Sequence, residues 1–262
     1  MCATCGCDGK GPLILSPHSH DHDDHHAYDH GAALRKAERL VKIEQDVLAK
    51  NDRLAAANRA WLAGREVLAL NVLSGPGAGK TTLLERTVAL LAPVTVSVLE
   101  GDQETAHDAE RVRAAGAAAV QINTGTGCHL DAEMVAGGLR ALAPPSRSVV
   151  FIENVGNLVC PALFDLGERT KVVLLSTTEG EDKPLKYPHI FRAARVLLLN
   201  KIDLLPHLSF DLDRCLANAR RVNPHLRVFV VSALRGDGLD AWCGWLRAEL
   251  APTAEATGDH AW

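Results

Sequence analysis

Short apolar runs alternate with helix-spaced apolar positions along most of the chain, from about residue 65 to residue 250. Runs such as 67–74 and 195–200 are apolar at successive positions and short, which indicates strands buried on both faces. The pattern predicts strands at residues 67–74, 94–100, 117–122, 148–153, 171–176, 195–200 and 227–231. Strands that alternate with helices predict an α/β fold with a doubly wound, mainly parallel sheet, whose ligands bind at the carboxyl ends of the strands.

The chain before residue 65 has a different pattern. Residues 1–31 are polar and have no hydrophobic period, so we expect a tail that is disordered in the absence of metal. Residues 32–64 carry aliphatic residues among charges and have no proline or glycine before Gly64, which predicts one or two amphipathic helices. The predicted domain occupies residues 65–250, and a C-terminal tail follows at 251–262.

Composition indicates the size of the core, the classes of partner and the cellular compartment. The 262 residues are 47% hydrophobic, which is enough chain for one sizeable core. A net charge of −4 does not favour nucleic acid or an anionic membrane as a partner. No apolar run approaches the roughly 18 residues of a membrane span, and no secretory signal pattern opens the sequence. We therefore expect a cytoplasmic protein whose seven cysteines are thiols or metal ligands.

A glycine-rich sequence, S-G-P-G-A-G-K-T, follows the first predicted strand at residues 74–81. Helix-spaced leucines come after it, so loop N–H groups and a helix N-terminus converge, as phosphate binding requires. The strict pattern has glycine where this chain has Ser74. Lys80 is predicted to neutralise the β- and γ-phosphates, and Thr81 to bind Mg²⁺ through its hydroxyl. The predicted nucleotide contacts in this loop are Gly75, Pro76, Gly77, Ala78, Gly79, Lys80, Thr81 and Thr82.

The sequence N-K-I-D at residues 200–203 ends another predicted strand, about 120 residues after the phosphate loop. The carboxylate of Asp203 can accept two hydrogen bonds from guanine N1–H and N2–H₂, which adenine cannot supply. The pairing of the two motifs therefore predicts GTP and GDP as ligands, with Asn200 and Lys201 in the same site. Ser232 and Ala233 follow the last predicted strand and resemble a loop that supports the guanine.

Acidic residues stand where two other strands end. Asp102 and Glu153 are predicted to hold Mg²⁺ or its waters, because carboxylates at strand ends beside a phosphate site suit that cation. Together with Lys80 they form the predicted catalytic set. Gly156 could reach a γ-phosphate through its N–H group and so register its loss. Glu100, and with it Glu104, is interpreted as a solvated loop residue.

Cysteine and histidine indicate a second chemistry. Cys2, Cys5 and Cys7 lie close enough to bind one ion together with a terminal amine; a planar site would suit Ni²⁺ and a tetrahedral site Zn²⁺. An unoccupied, reactive thiol cluster is the alternative. Six clustered histidines could store metal or form a solvated tail: His18, His20, His22, His25, His26 and His30. Cys128, His129 and Cys160 could form a separate site within the domain, or be two ordinary buried cysteines and a loop histidine. Cys215 and Cys243 are predicted to be core residues.

Four segments make the chain resemble the HypB family of nickel-insertion GTPases, of the SIMIBI class and related to the urease accessory GTPase UreG. The segments are G-T-G-C-H-L-D-A at 125–132, I-E-N-V-G-N-L-V-C-P at 152–161, T-E-G-E-D-K-P-L-K-Y-P-H at 178–189 and L-L-N-K-I-D-L-L-P at 198–206. The N-terminal cysteines match the high-affinity nickel site of some members, and the histidine run matches members that also store nickel.

The resemblance implies properties that the composition could not reveal. It implies hydrolysis of GTP to GDP and phosphate, GTP-dependent dimerisation, and a Ni²⁺ or Zn²⁺ site at Cys128, His129 and Cys160. It also implies a HypA-type metallochaperone and a nickel–iron hydrogenase large-subunit precursor as partners. Hydrolysis could change the spacing of the three ligands, because Cys160 lies just after the segment that would sense the γ-phosphate.

Three other functions are compatible with parts of the sequence. A nickel or zinc storage protein would use the tail and need no GTPase cycle. A urease-type nickel GTPase would share the domain. A P-loop kinase is disfavoured by N-K-I-D and by the lack of a recognisable acceptor site.

Overall fold

A computed structural model describes residues 30–102, 107–125 and 127–251. Its centre is a seven-stranded sheet in which every neighbouring pair is parallel, in the order β3-β2-β4-β1-β5-β6-β7. The strands are β1 Leu68–Ser74, β2 Val96–Asp102, β3 Ala118–Asn123, β4 Val149–Glu153, β5 Thr170–Ser176, β6 Val196–Asn200 and β7 Arg227–Val230. All seven predicted strands are therefore confirmed, as is the doubly wound α/β fold.

Eight α-helices accompany the strands in the described ranges. They are α1 His30–Ala63, α2 Lys80–Leu91, α3 His107–Ala114, α4 Ala132–Leu142, α5 Lys183–Lys186, α6 Pro188–Ala193, α7 Leu212–Val222 and α8 Leu239–Leu250. Short 3₁₀ helices occupy Cys160–Ala162 and Ile202–His207. Within the described ranges, no helix is both long and apolar enough to span a membrane.

The central strands β1, β4, β5 and β6 are buried because helices cover the sheet on each side, whereas the edge strands β3 and β7 are partly exposed. Leu198 packs in one core with Trp242 of α8, whereas its neighbours Leu197 and Leu199 pack in the other core with Phe191 of α6. This alternation follows from the two-residue period of a strand. Cys215 and Cys243 are buried in these cores, as predicted, and burial raises the pKa of their thiols to about 12 and about 11.

From β1 the chain crosses past β4 to β2, and from β4 it crosses past β1 to β5, in the opposite direction along the sheet. Crossings in opposite directions leave a crevice at the carboxyl ends of the central strands, where ligands of such folds bind. The phosphate loop leaves β1 at this point, and β4 lies beside β1 with Glu153 opposite Val72. The topology therefore gathers the predicted site residues at one edge.

The N-terminal segment is one continuous helix rather than two, and it begins at His30, inside the segment predicted as tail. The chain divides into two compact units, Met1–Lys50 and Asn51–Trp262. Within the second unit, Asn51 and Asn58 of α1 are buried. Cys2, Cys5, Cys7, His18, His20, His22, His25 and His26 lie outside the described residues, as does 252–262.

Helix α1 also explains a glycine. Gly167 has a left-handed φ of 90°, and a Cβ there would lie 2.6 Å from the carbonyl oxygen of Ala55. We expect Gly167→Ala to lower the free energy of unfolding by about 3 kcal/mol, because steric overlap with the helix backbone adds to backbone strain. Gly116→Ala is the matched control, since Gly116 has φ 102° with nothing within 4 Å, and it should cost only about 1 kcal/mol. Equal losses in denaturant unfolding would contradict the steric argument.

Candidate functional site

The loop after β1 has the backbone of an anion-binding turn. Gly77 and Gly79 adopt left-handed φ angles of 69° and 98°, and α2 begins directly afterwards at Lys80. Such turns direct backbone N–H groups and a helix N-terminus at one point, which suits a phosphate. Lys80 Nζ donates a hydrogen bond to Ser74 Oγ at 2.9 Å. Ser74, the departure from the strict pattern, therefore accepts a hydrogen bond from the loop lysine in this structure.

Two residues of the N-K-I-D segment support this loop. Asn200 Nδ2 donates to the carbonyl of Ala78 at 2.9 Å, and Lys201 Nζ donates to the carbonyl of Gly77 at 2.7 Å. A Cβ at Gly79 would lie 2.7 Å from Asn200 Nδ2, so the loop needs glycine there as much for space as for its φ angle. Asn200 and Lys201 thus fix the shape of the phosphate loop.

Asp203 stands beside the loop that follows β7. Ser232 Oγ donates to Asp203 Oδ1 at 2.6 Å, and the N–H group of Ala233 donates to Asn200 Oδ1 at 2.9 Å. Ser232 and Ala233 therefore position the N-K-I-D side chains, and their predicted support of a guanine stays a prediction. The Asp203 carboxylate is thus oriented by the Ser232 hydroxyl.

Buried carboxylates line the strand ends next to the phosphate loop. Glu153 ends β4, and its register partner on β2 is Glu100; the two residues are only 4% and 3% exposed. The interpretation of Glu100 as a solvated loop residue is wrong, because β2 continues to Asp102 and is paired on both sides. The two carboxylates place oxygen donors at the strand ends, and oxygen is the ligand type that Mg²⁺ prefers, so this donor set fits Mg²⁺. Thr81, in the first turn of α2, is also buried.

The segment after Glu153 touches the phosphate loop directly. A Cβ added to Gly156 would lie 3.3 Å from two backbone atoms of Pro76, so only glycine allows this approach without displacement. Thr82, also predicted to contact nucleotide, receives a 3.4 Å hydrogen bond from Arg111. The predicted loop and strand-end residues therefore surround one crevice.

Glu179 is a residue of this crevice that the sequence patterns did not indicate. Its Oε1 accepts a hydrogen bond from the N–H group of Ser176 at 2.9 Å, and its Oε2 would lie 2.6 Å from a Cβ at Gly75. Burial raises the pKa of Glu179, while the charges of nearby lysines, Lys80 and Lys201 among them, oppose the rise. The position of T-E-G directly after β5 is the signal that could identify it.

Cys128, His129 and Cys160 come together at a second point. Their ligand atoms all lie within 4.8 Å of one another, and Cys128 Sγ is 3.5 Å from His129 Nδ1. Ligand atoms on one tetrahedral or planar ion with bonds of about 2.0 to 2.3 Å are about 3 to 4.6 Å apart, so the cluster fits Ni²⁺ or Zn²⁺. The convergence is what the predicted metal site requires, and the role of the three residues as ligands stays a prediction.

The surroundings of the His129 imidazole favour its neutral form. Its ring stacks on Phe164 with centroids 3.9 Å apart. Burial lowers the pKa of His129, and the charge of Asp131 opposes this shift only in part. A neutral imidazole is the form that binds a metal ion, so the local environment favours coordination.

Comparisons with known proteins identify the family of the chain. A family model described as "CobW/HypB/UreG, nucleotide-binding domain" matches residues 69–230. The chain is 47% identical to the hydrogenase maturation factor HypB of Escherichia coli K12, with 95% of this chain and 99% of that protein covered. It is 56% identical to HypB of Azotobacter vinelandii over 84% of this chain and 73% of that protein.

Two solved structures have the same fold. HypB from Archaeoglobus fulgidus is 39% identical with a TM-score of 0.73, covering 78% of this chain and 100% of that chain. HypB from Helicobacter pylori in complex with nickel is 36% identical with a TM-score of 0.72, covering 77% of this chain and 95% of that chain.

Proposed function

The chain belongs to the HypB hydrogenase maturation factors of the CobW/HypB/UreG family, and we propose that it is a GTPase that controls nickel delivery during nickel–iron hydrogenase maturation. The observation that carries the proposal is the convergence of Cys128, His129 and Cys160 beside a segment that contacts the phosphate loop at Gly156. The nickel complex of the Helicobacter pylori relative supports nickel as the cargo.

The hydrolytic step follows from the crevice. Lys80 neutralises charge on the β- and γ-phosphates, and loop N–H groups hold them in place for attack by water. Thr81, Asp102 and Glu153 would hold Mg²⁺, which when bound neutralises charge developing on the phosphate oxygens. The product pair is GDP and inorganic phosphate.

Loss of the γ-phosphate is transmitted through the segment after β4. Gly156 lies against Pro76, and its N–H group is the sensor for the γ-phosphate. Cys160 follows Gly156 by four residues and begins a 3₁₀ helix. A shift of this segment moves one ligand relative to Cys128 and His129, and a change in ligand spacing changes metal affinity. GTP hydrolysis thereby times metal release, and Zn²⁺ competes for the same donors.

Partners act at exposed apolar surfaces. Val159 and Leu163 flank Cys160 and are about half exposed, a surface suited to a HypA-type metallochaperone that exchanges metal there. Leu208, which follows the N-K-I-D segment, and Leu234, which follows Ser232 and Ala233, are exposed and suit a GTP-dependent homodimer. The final recipient is the hydrogenase large-subunit precursor, and the N-terminal cysteines and histidines add metal capacity.

Replacing Cys160 with serine should weaken the nickel–thiolate absorption of the domain site, since only the Cys128 thiolate remains, and lower its nickel affinity by about 100-fold, because a hydroxyl is a far weaker donor than a thiolate. The measurement is a nickel titration of the full chain in which Cys2, Cys5 and Cys7 are also serine. Cys243→Ser is the matched control, since Cys243 is equally buried but lies in the core. Equal affinity of the Cys160 and Cys243 variants would contradict the proposed metal site.

A further inference from the structure

Three buried polar residues lie in or next to the central strands β1, β4 and β5. Asn71 is in the middle of β1, Asn154 directly follows β4, and Glu168 precedes β5. Their exposed fractions are 0%, 1% and 6%. Burying such groups is unfavourable unless they are hydrogen-bonded, so their partners identify what they hold in place.

The three side chains form a continuous chain of hydrogen bonds. Asn154 Nδ2 donates to Asn71 Oδ1 at 3.3 Å, and Asn71 Nδ2 donates to Glu168 Oε1 at 3.2 Å. Glu168 Oε2 accepts from the N–H group of Leu166 at 2.7 Å. The chain therefore runs from the segment after β4, through the central strand, to the segment that follows Cys160.

Asn154 also joins the loop that contains His129 to the segment that contains Gly156. Its Oδ1 accepts from the N–H group of Leu130 at 3.1 Å and from the N–H group of Val155 at 3.0 Å. Leu130 directly follows the ligand His129, and Val155 directly precedes Gly156. One side-chain oxygen thus ties the metal-ligand loop to the segment that approaches the phosphate loop.

Side chains of α1 bind the backbone a few residues after His129 and a few residues after Cys160. Asn58 Nδ2 donates to the carbonyls of Ala132 and Leu166, at 2.8 and 3.0 Å. Asn51 accepts from the N–H group of Ala132 at 2.9 Å and donates to the carbonyl of Asp165 at 2.7 Å. The loop after His129 is therefore held at Leu130 by Asn154 and, two residues later, by α1. A movement of Asn154 relative to α1 would therefore act on Leu130, the residue that directly follows His129.

We propose that Asn154 is the positioning residue that transmits the nucleotide state to the metal site, and that Asn51 and Asn58 anchor the opposite ends of the ligand segments. This inference rests on the proposed function, since it concerns how GTP hydrolysis changes metal affinity. It adds that the change reaches His129 as well as Cys160, through a hydrogen bond rather than along the chain.

The test measures nickel affinity in two nucleotide states. The full chain with serine at positions 2, 5 and 7 is titrated with Ni²⁺ in the presence of GDP or of a non-hydrolysable GTP analogue, and thiolate-to-nickel absorption reports the domain site. The affinity ratio between the two states should fall from about 5-fold or more to within about twofold of unity in Asn154→Ala. In Asn154→Asp, which keeps an oxygen acceptor for Leu130 and Val155, most of the ratio should remain.

A buried control separates coupling from general destabilisation. Thr87 is fully buried and accepts a 3.1 Å hydrogen bond from Nε1 of Trp242, which belongs to the core that contains α8. Thr87→Val should keep the wild-type ratio. An unchanged ratio in Asn154→Ala would overturn the role of Asn154 and leave the proposed function standing, whereas a ratio of one in the wild-type protein would overturn the proposed coupling itself.

A second measurement uses only the wild-type protein. Hydrogen exchange of the Leu130 and Val155 amides is compared in the wild-type protein with GDP and with the GTP analogue. Because both amides donate to one oxygen, their protection should change together when the nucleotide changes. If metal affinity changes while Leu130 protection stays the same, the link through Asn154 is wrong.

Discussion

Replacing Lys80 with alanine should abolish GTP hydrolysis, with a loss in rate of at least about 100- to 1,000-fold. The lysine side chain lies over the phosphate loop, where Ser74 holds it at 2.9 Å, and water is a poor substitute for a positioned positive charge beside a transferring phosphoryl group. Single-turnover measurement of phosphate release at saturating GTP separates this loss from weaker binding.

Lys186→Ala is the control for the loss of a lysine as such. Lys186 is exposed and pairs with Asp182 at 2.7 Å. Its replacement should leave the rate within about twofold of the wild type. An unchanged rate in Lys80→Ala would remove the assigned catalytic site. If the wild-type protein itself shows no turnover, a nickel or zinc storage protein with a structural nucleotide site becomes the better explanation.

Replacing Asp203 with asparagine should lower GTP affinity by about two to four decades and favour xanthosine triphosphate. Hydrogen bonds to a charged group contribute about 1.5 to 3 kcal/mol each, and the variant loses two of them. The bond from Ser232 Oγ to Asp203 Oδ1 holds the carboxylate in one orientation, so the replacement changes a positioned group. Competition of GTP, ATP and xanthosine triphosphate against a fluorescent GDP derivative measures the three affinities.

Asp211→Asn tests whether the loss of any nearby carboxylate has this effect. Asp211 accepts from the N–H group of Arg214 at the start of α7, a role that asparagine can also fill. Its GTP affinity should match that of the wild type. Equal affinity of the wild-type protein for ATP and GTP would contradict guanine selection.

The strands and the main motifs can be predicted because their signals are local. Each strand is a short apolar run, and each nucleotide motif follows one of these runs, so periodicity places both. The motifs around Cys128, His129 and Cys160 are enough to group these residues as one candidate site. The structure brings their ligand atoms within 4.8 Å, although their role as ligands remains a prediction.

Buried polar residues cannot be interpreted in the same way. The sequence around Glu100 indicates a loop because a charged residue beside glycine resembles a strand end; pairing with β3 and β4, distant in sequence, extends β2 through it. Asn71 and Asn154 are 83 positions apart and have meaning only as a hydrogen-bonded pair. Local sequence carries no information about such partners, and one sequence offers no covariation.

The helix α1 shows the same limit. Its amphipathic pattern predicts helix, but not that Asn51 and Asn58 bind the segments that follow His129 and Cys160. Those contacts depend on where this part of α1 packs, and that is set by the whole fold. The sequence therefore predicts which residues are chemically able to act, whereas the structure identifies which residues position them.

The proposed function depends on coupling between nucleotide state and nickel binding at Cys128, His129 and Cys160. This coupling is measured as the affinities for GDP and for a non-hydrolysable GTP analogue with and without saturating Ni²⁺, in the full chain with serine at positions 2, 5 and 7. Linkage requires that nickel change the preference between the two nucleotides by the same factor, about 5- to 150-fold, by which the nucleotides change nickel affinity. A preference that is the same with and without nickel would contradict GTP-timed release.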